Sequence, residues 1–372
     1  MKRIVLPLLC LLVVTSLILA GCSSSASTTA APPVSTSNAA QTSTSAPATS
    51  APVIKLKFGD QNPDIGWEGT HASGPWLAQM TKATNNRVQF ETYYNQSLFK
   101  GADSWTAVKN HVADLAWMFH GFWANMTPLA DVLSLPMMPI KSAKQGSGIF
   151  WQLYQKYPTL ADEFKDLHVL STFTSQPYLL ITSKKQVKVL EDWKGLKIRT
   201  TAGPPVEMMK AMGAVPVSMG MPDTYLSLQK GDIDGMLVPW EAMLSYKQYE
   251  QVQYYTYAPI VSVYFTMAMN NDTWNGLPKD VQDQINSVNG LKGSLFLGEN
   301  QFDTAASEGR AQVKATGAKM IEYTVPDDEF AKWSALSQPI WEAWVKSMTD
   351  AGHPEARDIL NTTISLCKTY NP

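Results

Sequence analysis

The sequence has little of the side chains that carry metal, redox or nucleophilic chemistry. Its 372 residues include three cysteines and five histidines, and no two histidines stand four residues apart or beside a cysteine. That scatter leaves little support for a metal centre, because zinc sites repeat His and Cys at short fixed spacings. No G-x-S-x-G motif marks an acyl-transfer nucleophile. Paired carboxylates for glycoside hydrolysis stay open, since Asp and Glu are too common for a pair to be chosen.

Basic runs are also missing. The chain holds 30 Lys and Arg against 32 Asp and Glu, a formal net charge of −2. A nucleic-acid partner would need a basic stripe, so we expect no nucleic-acid binding. Aromatic residues are plentiful instead, with 12 Trp and 14 Tyr. The chain therefore has enough aromatic residues to line a concave surface with their rings.

The first 52 residues are typical of a leader and a tether. Lys2 and Arg3 precede a short apolar run that ends in LAGC at Cys22. This predicts a secretory signal peptide over residues 1–21, because the run is shorter than the roughly 20 residues of a transmembrane helix. LAGC also resembles a bacterial lipobox, in which the cysteine is acylated. Cys10 is then removed and Cys367 has no partner, so no intramolecular disulfide can form.

Residues 22–52 after the cleavage site contain almost only Ser, Thr, Ala and Pro. Such a segment buries too little apolar area to fold, which predicts a disordered tether. A domain on a lipid-anchored tether works outside the cytoplasm. We therefore expect an extracytoplasmic protein that its N-terminal lipid holds at the membrane, either in a periplasm or on the outer face of the cell.

From residue 53 onward, strand and helix patterns alternate. VIKLKFGDQ, VQFETYY and DLAWMFH are predicted strands, with predicted helices between them. The rhythm restarts after the long extended segment HVLSTFTSQPYLLITSKK and ends at a second one, YYTYAPIVSVYFTMAMNN. Two α/β blocks joined by two such segments predict an α/β fold of two lobes with two crossover strands.

The predicted lobes are each built from discontinuous chain. Lobe 1 comprises residues 53–176 plus 261–300, and lobe 2 comprises residues 177–260 plus 301–372 with the C-terminal helices. Residues 292–316 are expected to form one long helix that spans both lobes. A ligand site is expected in the cleft between the lobes, at the carboxyl ends of the strands.

One cation, Arg199, stands near the end of the predicted strand LKIRTT, where that strand reaches the expected cleft. A guanidinium stays charged, and its planar fork matches a carboxylate with two hydrogen bonds. The helix start near Pro204 is expected to add unpaired N–H groups and partial positive charge. The alternative is a surface arginine paired with an acid such as Glu207. The local pattern leaves both interpretations open.

The stretch LEDWKGLKIRTTAGPPVEMMKAMGAVPVSMGMPDTYLSLQKGDIDGM closely resembles the signature of TRAP (tripartite ATP-independent periplasmic) transporter substrate-binding proteins. DWKGLKIR, MGAVPV, Y-x-x-L-Q-K-G and D-x-DG occur in the family order, and NQSLFKG and VADLAWMFHGF look like first-lobe counterparts. The resemblance implies a two-lobe periplasmic-binding-protein (Venus flytrap) fold that closes on an organic acid and delivers it to membrane permease subunits. It also implies that Arg199 holds the ligand carboxylate, without catalysis or a cofactor.

Two departures from the family pattern bear on the ligand. Tyr178 stands where many members carry a second arginine, and Val238 stands where many carry Asn. Beside such residues the hydroxyls of a sugar acid would stay unpaired, at roughly 1–3 kcal/mol each. The departures imply a monocarboxylate with an apolar or aromatic body, or a small oxo or hydroxy acid.

Further ligand contacts are expected at the rims of both lobes. Some relatives use a Trp and a Glu in one region, partly through a bound cation, so Glu241 would need a donor or a co-bound Na+ or Ca2+. Structural roles stay open for Trp240 as packing, for Glu241 as a first-turn acid and for His120 as a buried imidazole. The candidates beside Arg199 and Tyr178 are Trp240, Glu241, Gln61, Trp67, Phe119 and His120.

Three other functions share part of this pattern. A binding lipoprotein of an ABC-type importer would have the same two-lobe design without the quoted motifs. A lipid-anchored hydrolase would turn its ligand over, although no specific nucleophile, base or metal set is visible. A structural surface lipoprotein would bind no ligand.

Overall fold

The computed structural model describes residues 52–372. The predicted signal peptide, the predicted lipidation at Cys22 and the tether up to residue 51 lie outside the described residues and stay predictions. Within the described part of the chain, eleven strands form two sheets. The strands are β1 (Ile54–Gly59), β2 (Val88–Tyr93), β3 (Leu115–Phe119), β4 (Leu167–Thr174), β5 (Leu179–Thr182), β6 (Lys197–Thr200), β7 (Val215–Ser218), β8 (Gly235–Val238), β9 (Tyr254–Tyr257), β10 (Tyr264–Asn270) and β11 (Ile321–Thr324).

Helices alternate with the strands and dominate the chain after β10. The α-helices are α1 (Gly74–Ala83), α2 (Ser104–Lys109), α3 (Ala143–Lys156), α4 (Pro158–Asp162), α5 (Pro204–Ala211), α6 (Thr224–Lys230), α7 (Trp240–Ser245), α8 (Asn271–Gly276), α9 (Lys279–Asn286), α10 (Leu291–Gly298), α11 (Thr304–Ala315), α12 (Asp327–Ala335), α13 (Ser337–Asp350) and α14 (Ala356–Thr369). A π-helical segment, Gly69–Ser73, leads into α1, and another, Glu299–Asp303, joins α10 to α11.

The first sheet has the strand order β2-β1-β3-β10-β4. β1 pairs in parallel with β2 and β3, whereas β10 is antiparallel to β3 and β4. Trp76, Leu77 and Met80 of α1 are buried, at the helical spacing from which this helix was predicted. Trp76 packs against Phe58 of β1, with ring centroids 6.3 Å apart. The side chains of α1 therefore help to form the core of this lobe.

The second sheet has the strand order β11-β9-β5-β8-β6-β7. β6 is parallel to β7 and β8, and β5 is antiparallel to β8 and β9. Lys197 at the start of β6 is exposed, whereas Ile198, Arg199 and Thr200 are buried. β6 lies between β7 and β8, so its backbone is paired along both edges. This position carries Arg199 into the interior.

Two extended connections carry the chain between the sheets. The chain passes from β4 in the first sheet to β5 in the second, and it returns from β9 to β10. The connections run side by side, because Ser175 N donates to Val263 O and Tyr178 N donates to Val261 O, both at 2.8 Å. A few connecting residues of this kind are the usual hinge between two domains. The predicted two-lobe α/β fold with two crossover strands is confirmed.

α10, the segment Glu299–Asp303 and α11 follow one another without a break and form one long helix. Its first part packs on α3 and β4, and its last part packs on α7 beside the second sheet. A Cβ at Gly298 would lie 2.3 Å from Ser147 Oγ, so glycine permits the close approach to α3. The predicted lobe-spanning helix is confirmed.

The last helix, α14, packs on α3 of the first lobe, although the sequence-based division grouped it with lobe 2. Gln145 Nε2 on α3 donates to Cys367 O at 3.1 Å and to Tyr370 O at 2.8 Å. Ile359 and Leu360 of α14 are buried in the same cluster as the residues of α3. Across residues 52–372, no helix combines the length and the apolar character that a bilayer crossing requires.

Candidate functional site

Four strands end at one cavity between the two sheets. Gln61 follows β1 and Phe119 ends β3 on the first side. Arg199 lies in β6, and Glu241 follows β8, on the second side. The carboxyl ends of parallel strands are the usual ligand site in α/β folds. The lining residues are Gln61, Asn62, Trp117, Phe119, Tyr178, Arg199, Met221, Pro239, Glu241, Ala242, Phe265, Gln301 and Phe302.

The lobes are closed around this cavity. Ala202 N in the second lobe donates to Gly121 O in the first at 2.9 Å. Tyr246 Oη, just after α7, donates to Asn62 Oδ1 at 3.1 Å. The cavity between the lobes is small. Only about 20 Å³ of it can be occupied by the centre of a water molecule. Because that holds one or two waters, a larger guest must enter with the lobes apart and separate the walls.

The Arg199 guanidinium is the cation that lines this cavity. Its side chain is buried, with the residue 1% exposed. Nε and Nη2 donate to Met219 O at 3.1 and 3.0 Å, and Nη1 has no partner within the described residues. Burial lowers the pKa of Arg199 to about 10, so the side chain is protonated at neutral pH. The Nε–Nη2 edge of the guanidinium is thus held in place, and Nη1 is available to bind an anion.

The alternative pairing of Arg199 with Glu207 is not present. Glu207 lies on α5 and pairs instead with Lys210, Oε1 to Nζ at 2.8 Å. A buried charge without an opposite charge is costly, because burial removes its hydration. The closed cavity therefore favours a guest that brings a negative charge to Arg199.

The helix start near Pro204 does not contribute to the cavity, which corrects the sequence-based expectation. Ala202, Gly203 and Pro204 line a separate groove, together with Trp344 of α13. Two prolines occupy the first positions of α5, and proline has no N–H to offer an anion. The positive charge in the cavity thus comes from the Arg199 side chain rather than from a helix end.

Aromatic rings make the apolar wall opposite the polar groups. The ring centroid of Phe265 on β10 lies 5.0 Å from that of Trp117, 5.2 Å from that of Phe119 and 5.1 Å from that of Phe302. Trp117 Nε1 donates to Gln301 Oε1 at 3.3 Å, so its polar edge is satisfied within the protein. Rings at such separations present flat, apolar surfaces to a guest.

Glu241 and Gln61 are polar residues that line the same cavity. Glu241 is 4% exposed, and its Oε1 has no hydrogen-bond partner within the described residues. Gln61 Oε1 likewise has none. Burial, and secondly the nearby charge of Asp60, raise the pKa of Glu241 to about 8. Glu241 is therefore mainly a neutral carboxylic acid at neutral pH.

Two further carboxyl groups lie behind Glu241 in the first lobe. Asp60 follows β1, and its Oδ1 accepts from Asn62 N at 2.8 Å. Burial raises the pKa of Asp60 to about 7. Glu68 Oε2 accepts from Ser73 Oγ at 3.0 Å, and burial together with the charge of Asp60 raises the pKa of Glu68 well above its usual range. Burial at the closed interface thus favours the protonated form of both Asp60 and Glu68.

Tyr178 and Phe119 line the cavity, whereas His120 does not. Burial raises the pKa of the Tyr178 hydroxyl, and the nearby charge of Arg199 partly offsets that rise. His120 is hydrogen-bonded to Thr127 Oγ1 at 3.2 Å and to Thr266 Oγ1 at 3.0 Å. Burial lowers the pKa of His120 to about 3, so it is a neutral imidazole inside the first lobe.

Trp67 and Trp240 also lie outside the cavity, in contrast to the sequence-based expectation. Trp240 stacks on Tyr255, with ring centroids 6.1 Å apart, and fills the core of the second lobe. Trp67 N donates to Ser245 Oγ at 2.9 Å, and its Nε1 donates to Asn300 O at 3.0 Å. Trp67 thus packs between elements of the two lobes rather than against a guest.

Several lining residues had no part in the sequence-based site. Trp117 stands two residues before Phe119 on β3, so strand alternation alone would have placed both rings on one face. Phe265 and Phe302 belong to the second crossover strand and the long helix, far from the quoted motifs. Across residues 52–372 no group of three or more His, Cys, Asp or Glu side chains could hold a metal ion.

Comparisons with known proteins agree with this architecture. The family model described as "Bacterial extracellular solute-binding protein, family 7" matches residues 58–347. The protein named Outer membrane transporter protein TsaT, from Comamonas testosteroni, is 25% identical over 283 residues, which cover 75% of this chain and 81% of that protein.

Two solved structures are similar over most of the chain. A TRAP solute-binding protein from Rhodoferax ferrireducens, in complex with copurified benzoate, is 29% identical with a TM-score of 0.80, and the match covers 85% of this chain and 98% of that one. A marine metagenome TRAP solute-binding protein from an unidentified microbe, co-crystallised with 3-hydroxybenzoate, is 24% identical with a TM-score of 0.81. That match covers 87% of this chain and 100% of that one, and at this identity it shows the fold alone.

Proposed function

Because the chain belongs to family 7 of the bacterial extracellular solute-binding proteins, we propose that it captures an aromatic monocarboxylic acid for a TRAP transporter. The membership confirms the resemblance that DWKGLKIR and its companion motifs indicated. The family consists of solute-binding transport proteins rather than enzymes.

The observation that carries the proposal is a lone buried cation among aromatic rings. Within residues 52–372, Arg199 Nη1 has no hydrogen-bond partner, while Met219 O accepts from the other edge of the guanidinium. A carboxylate that accepts from the free side of the fork would neutralise this buried charge. Trp117, Phe119 and Phe265 would then contact the apolar body of the guest.

The narrow cavity favours a flat guest. A planar ring requires less separation of the walls than a puckered sugar ring, and it retains contact with the rings on one side. Seven of the thirteen lining residues are apolar, so hydroxyls spread around a sugar ring would not all meet a polar partner. The Rhodoferax ferrireducens relative, which carries copurified benzoate, supports the same class of ligand.

We propose that the ligand enters an open cleft and that closure of the lobes buries it. The paired connections at Ser175 and Tyr178 provide the hinge, and contacts such as Ala202 to Gly121 hold the closed form. The closed surface would then dock on the permease subunits. LAGC at Cys22 supports anchoring of the mature chain by lipid outside the cytoplasm. Metabolic labelling with a fatty acid would test this, with Cys22→Ala as the unlabelled control.

Mass spectrometry of the small molecules released on denaturation tests the ligand class directly. We expect an aromatic monocarboxylate in protein purified without added ligand. Titration calorimetry on ligand-depleted protein should then detect benzoate binding and no binding of D-glucuronate. Tight binding of D-glucuronate without binding of any aromatic acid would overturn the proposal. Chemical conversion of the acid during incubation would favour a hydrolase instead.

A further inference from the structure

Glu241 is a buried carboxyl group that the carboxylate clamp does not use. It follows β8 at the start of α7, lines the cavity and has an oxygen without a hydrogen-bond partner in the described chain. Neither this oxygen nor Arg199 Nη1 has a hydrogen-bond partner within the described residues, so the two are not bonded to each other. Buried polar groups are normally paired, so an unpaired one at a ligand cavity indicates a partner that the ligand supplies. Gln61 also lines the cavity, although its unpaired Oε1 lies beside Gly101, which is not a lining residue; no partner for this oxygen is found within residues 52–372.

We infer that Glu241 recognises a hydroxyl group on the guest, separate from the carboxylate that Arg199 binds. The substrate class is accordingly a hydroxylated aromatic acid rather than an unsubstituted one. This inference rests on the proposed function, because it needs an aromatic acid in the cavity between the lobes.

The protonation state of Glu241 explains why a hydroxyl fits better than a charged group. Asp60 and Glu68 approach Glu241 from the first lobe, and Tyr246 lies beside all three acids. Burial and Asp60 keep Glu241 protonated at neutral pH. A neutral carboxylic acid offers one O–H donor and a carbonyl acceptor. A hydroxyl also donates and accepts, whereas an ammonium group only donates.

The neutral state of Glu241 also removes the need for a cation between it and an anionic guest. A charged Glu241 would repel a carboxylate in the same closed cavity. The uncharged acid lets one cavity hold both the guest carboxylate and Glu241.

Calorimetry with three related acids tests the inference at pH 7. The ligands are benzoate, 3-hydroxybenzoate and 4-hydroxybenzoate, and the proteins are the wild type, Glu241→Leu and Glu241→Gln. We expect the wild type to bind at least one hydroxybenzoate roughly tenfold or more tightly than benzoate. Glu241→Leu should remove this preference while it retains benzoate binding, and Glu241→Gln should keep most of it. Glu207→Gln, on the exposed face of α5, is the matched control and should bind as the wild type does.

Each alternative result has a distinct meaning. Equal wild-type affinity for all three acids would overturn the inference, since Glu241 would then be satisfied by water. An equal loss of all three ligands in Glu241→Leu would also overturn it, because the residue would then act on the cavity as a whole. Tighter binding of 3-(aminomethyl)benzoate than of either hydroxybenzoate would overturn the inference as well, because Glu241 would then form an ion pair with the ammonium group. Failure of the wild type to bind any aromatic acid would refute the proposed function instead.

Discussion

Replacement of Arg199 should separate its role in binding from any role in stability. In Arg199→Lys the charge stays, and one donor can still reach Met219 O, but the planar fork is lost. In Arg199→Ala both the charge and the two bonds to Met219 O are lost. Arg199→Lys thus removes the geometry of the clamp alone, whereas Arg199→Ala also removes its charge.

The expected magnitudes follow from the burial of the site. Loss of one charge-assisted hydrogen bond costs about 1.5–3 kcal/mol, so Arg199→Lys should weaken binding roughly 10- to 100-fold. Removal of the charge leaves a desolvated ligand carboxylate unpaired, at about 2–5 kcal/mol or more. Arg199→Ala should therefore weaken binding roughly 30- to 4,000-fold. The ligand-free protein should melt at a similar temperature, because loss of the hydrogen bonds is offset by removal of an uncompensated buried charge.

Calorimetry with benzoate or the copurified ligand measures the affinities, and thermal melting with and without ligand measures stability. Arg310→Lys is a matched control, because the Arg310 side chain is exposed on the outer face of α11 and its Nη2 donates to Glu322 Oε2 at 2.9 Å. The control should bind as the wild type does. Near-normal affinity in Arg199→Ala would refute the carboxylate clamp. A large drop in the melting temperature of the ligand-free variant would show that Arg199 is needed for the fold as well.

Three further predictions follow from the closed interface. Burial raises the pKa of Asp60 to about 7 and that of Glu241 to about 8, so these two groups bind more protons in the folded chain than in the unfolded chain between about pH 4 and pH 8. The free energy of unfolding should therefore fall from about pH 7.5 to pH 9, above the range in which most unfolded histidines titrate. Glu241→Gln should flatten this slope in denaturant melts, and an unchanged slope would contradict the assignment. Ligand affinity should be the same in Na+-free buffer with EDTA. A loss of affinity in that buffer would indicate that a cation binds together with the ligand. A Cβ at Gly121 would lie 2.2 Å from Phe119 Cζ and 2.8 Å from Thr201 Cβ. Gly121→Val should therefore weaken ligand binding at least tenfold. Circular dichroism should show that the variant remains folded.

The element order of this protein could be predicted because it depends on local patterns. The segment HVLSTFTSQPYLLITSKK is too long for one strand, and it indeed becomes β4 and β5 in different sheets. The helix over residues 292–316 was predicted within one residue at each end. The motif set around DWKGLKIR led to the family and to Arg199 as the residue to examine.

The direction of individual side chains could not be predicted as well. Phe119 ends β3, whereas His120 begins the short 3-10 helix that follows, so the side chains of the two neighbours leave the backbone in different directions. One ring lines the cavity, and the other is hydrogen-bonded inside the lobe. Trp240 and Glu241 are neighbours at the start of α7, where successive residues differ by about 100° around the helix axis. Glu241 consequently reaches the cavity, while Trp240 packs against Tyr255.

The amino-acid sequence by itself determined the two-lobe order of strands and helices, the family and the cation at the end of β6. These depend on hydrophobic period, turn residues and short motifs, all of which are read within a few residues of the chain. Only the tertiary structure decided which groups meet around that cation. Phe265 and Phe302 come from segments distant in sequence, and burial, with Asp60 of the other lobe as the second cause, raises the pKa of Glu241. Burial and proximity between distant segments set those properties, and neither exists in the unfolded chain.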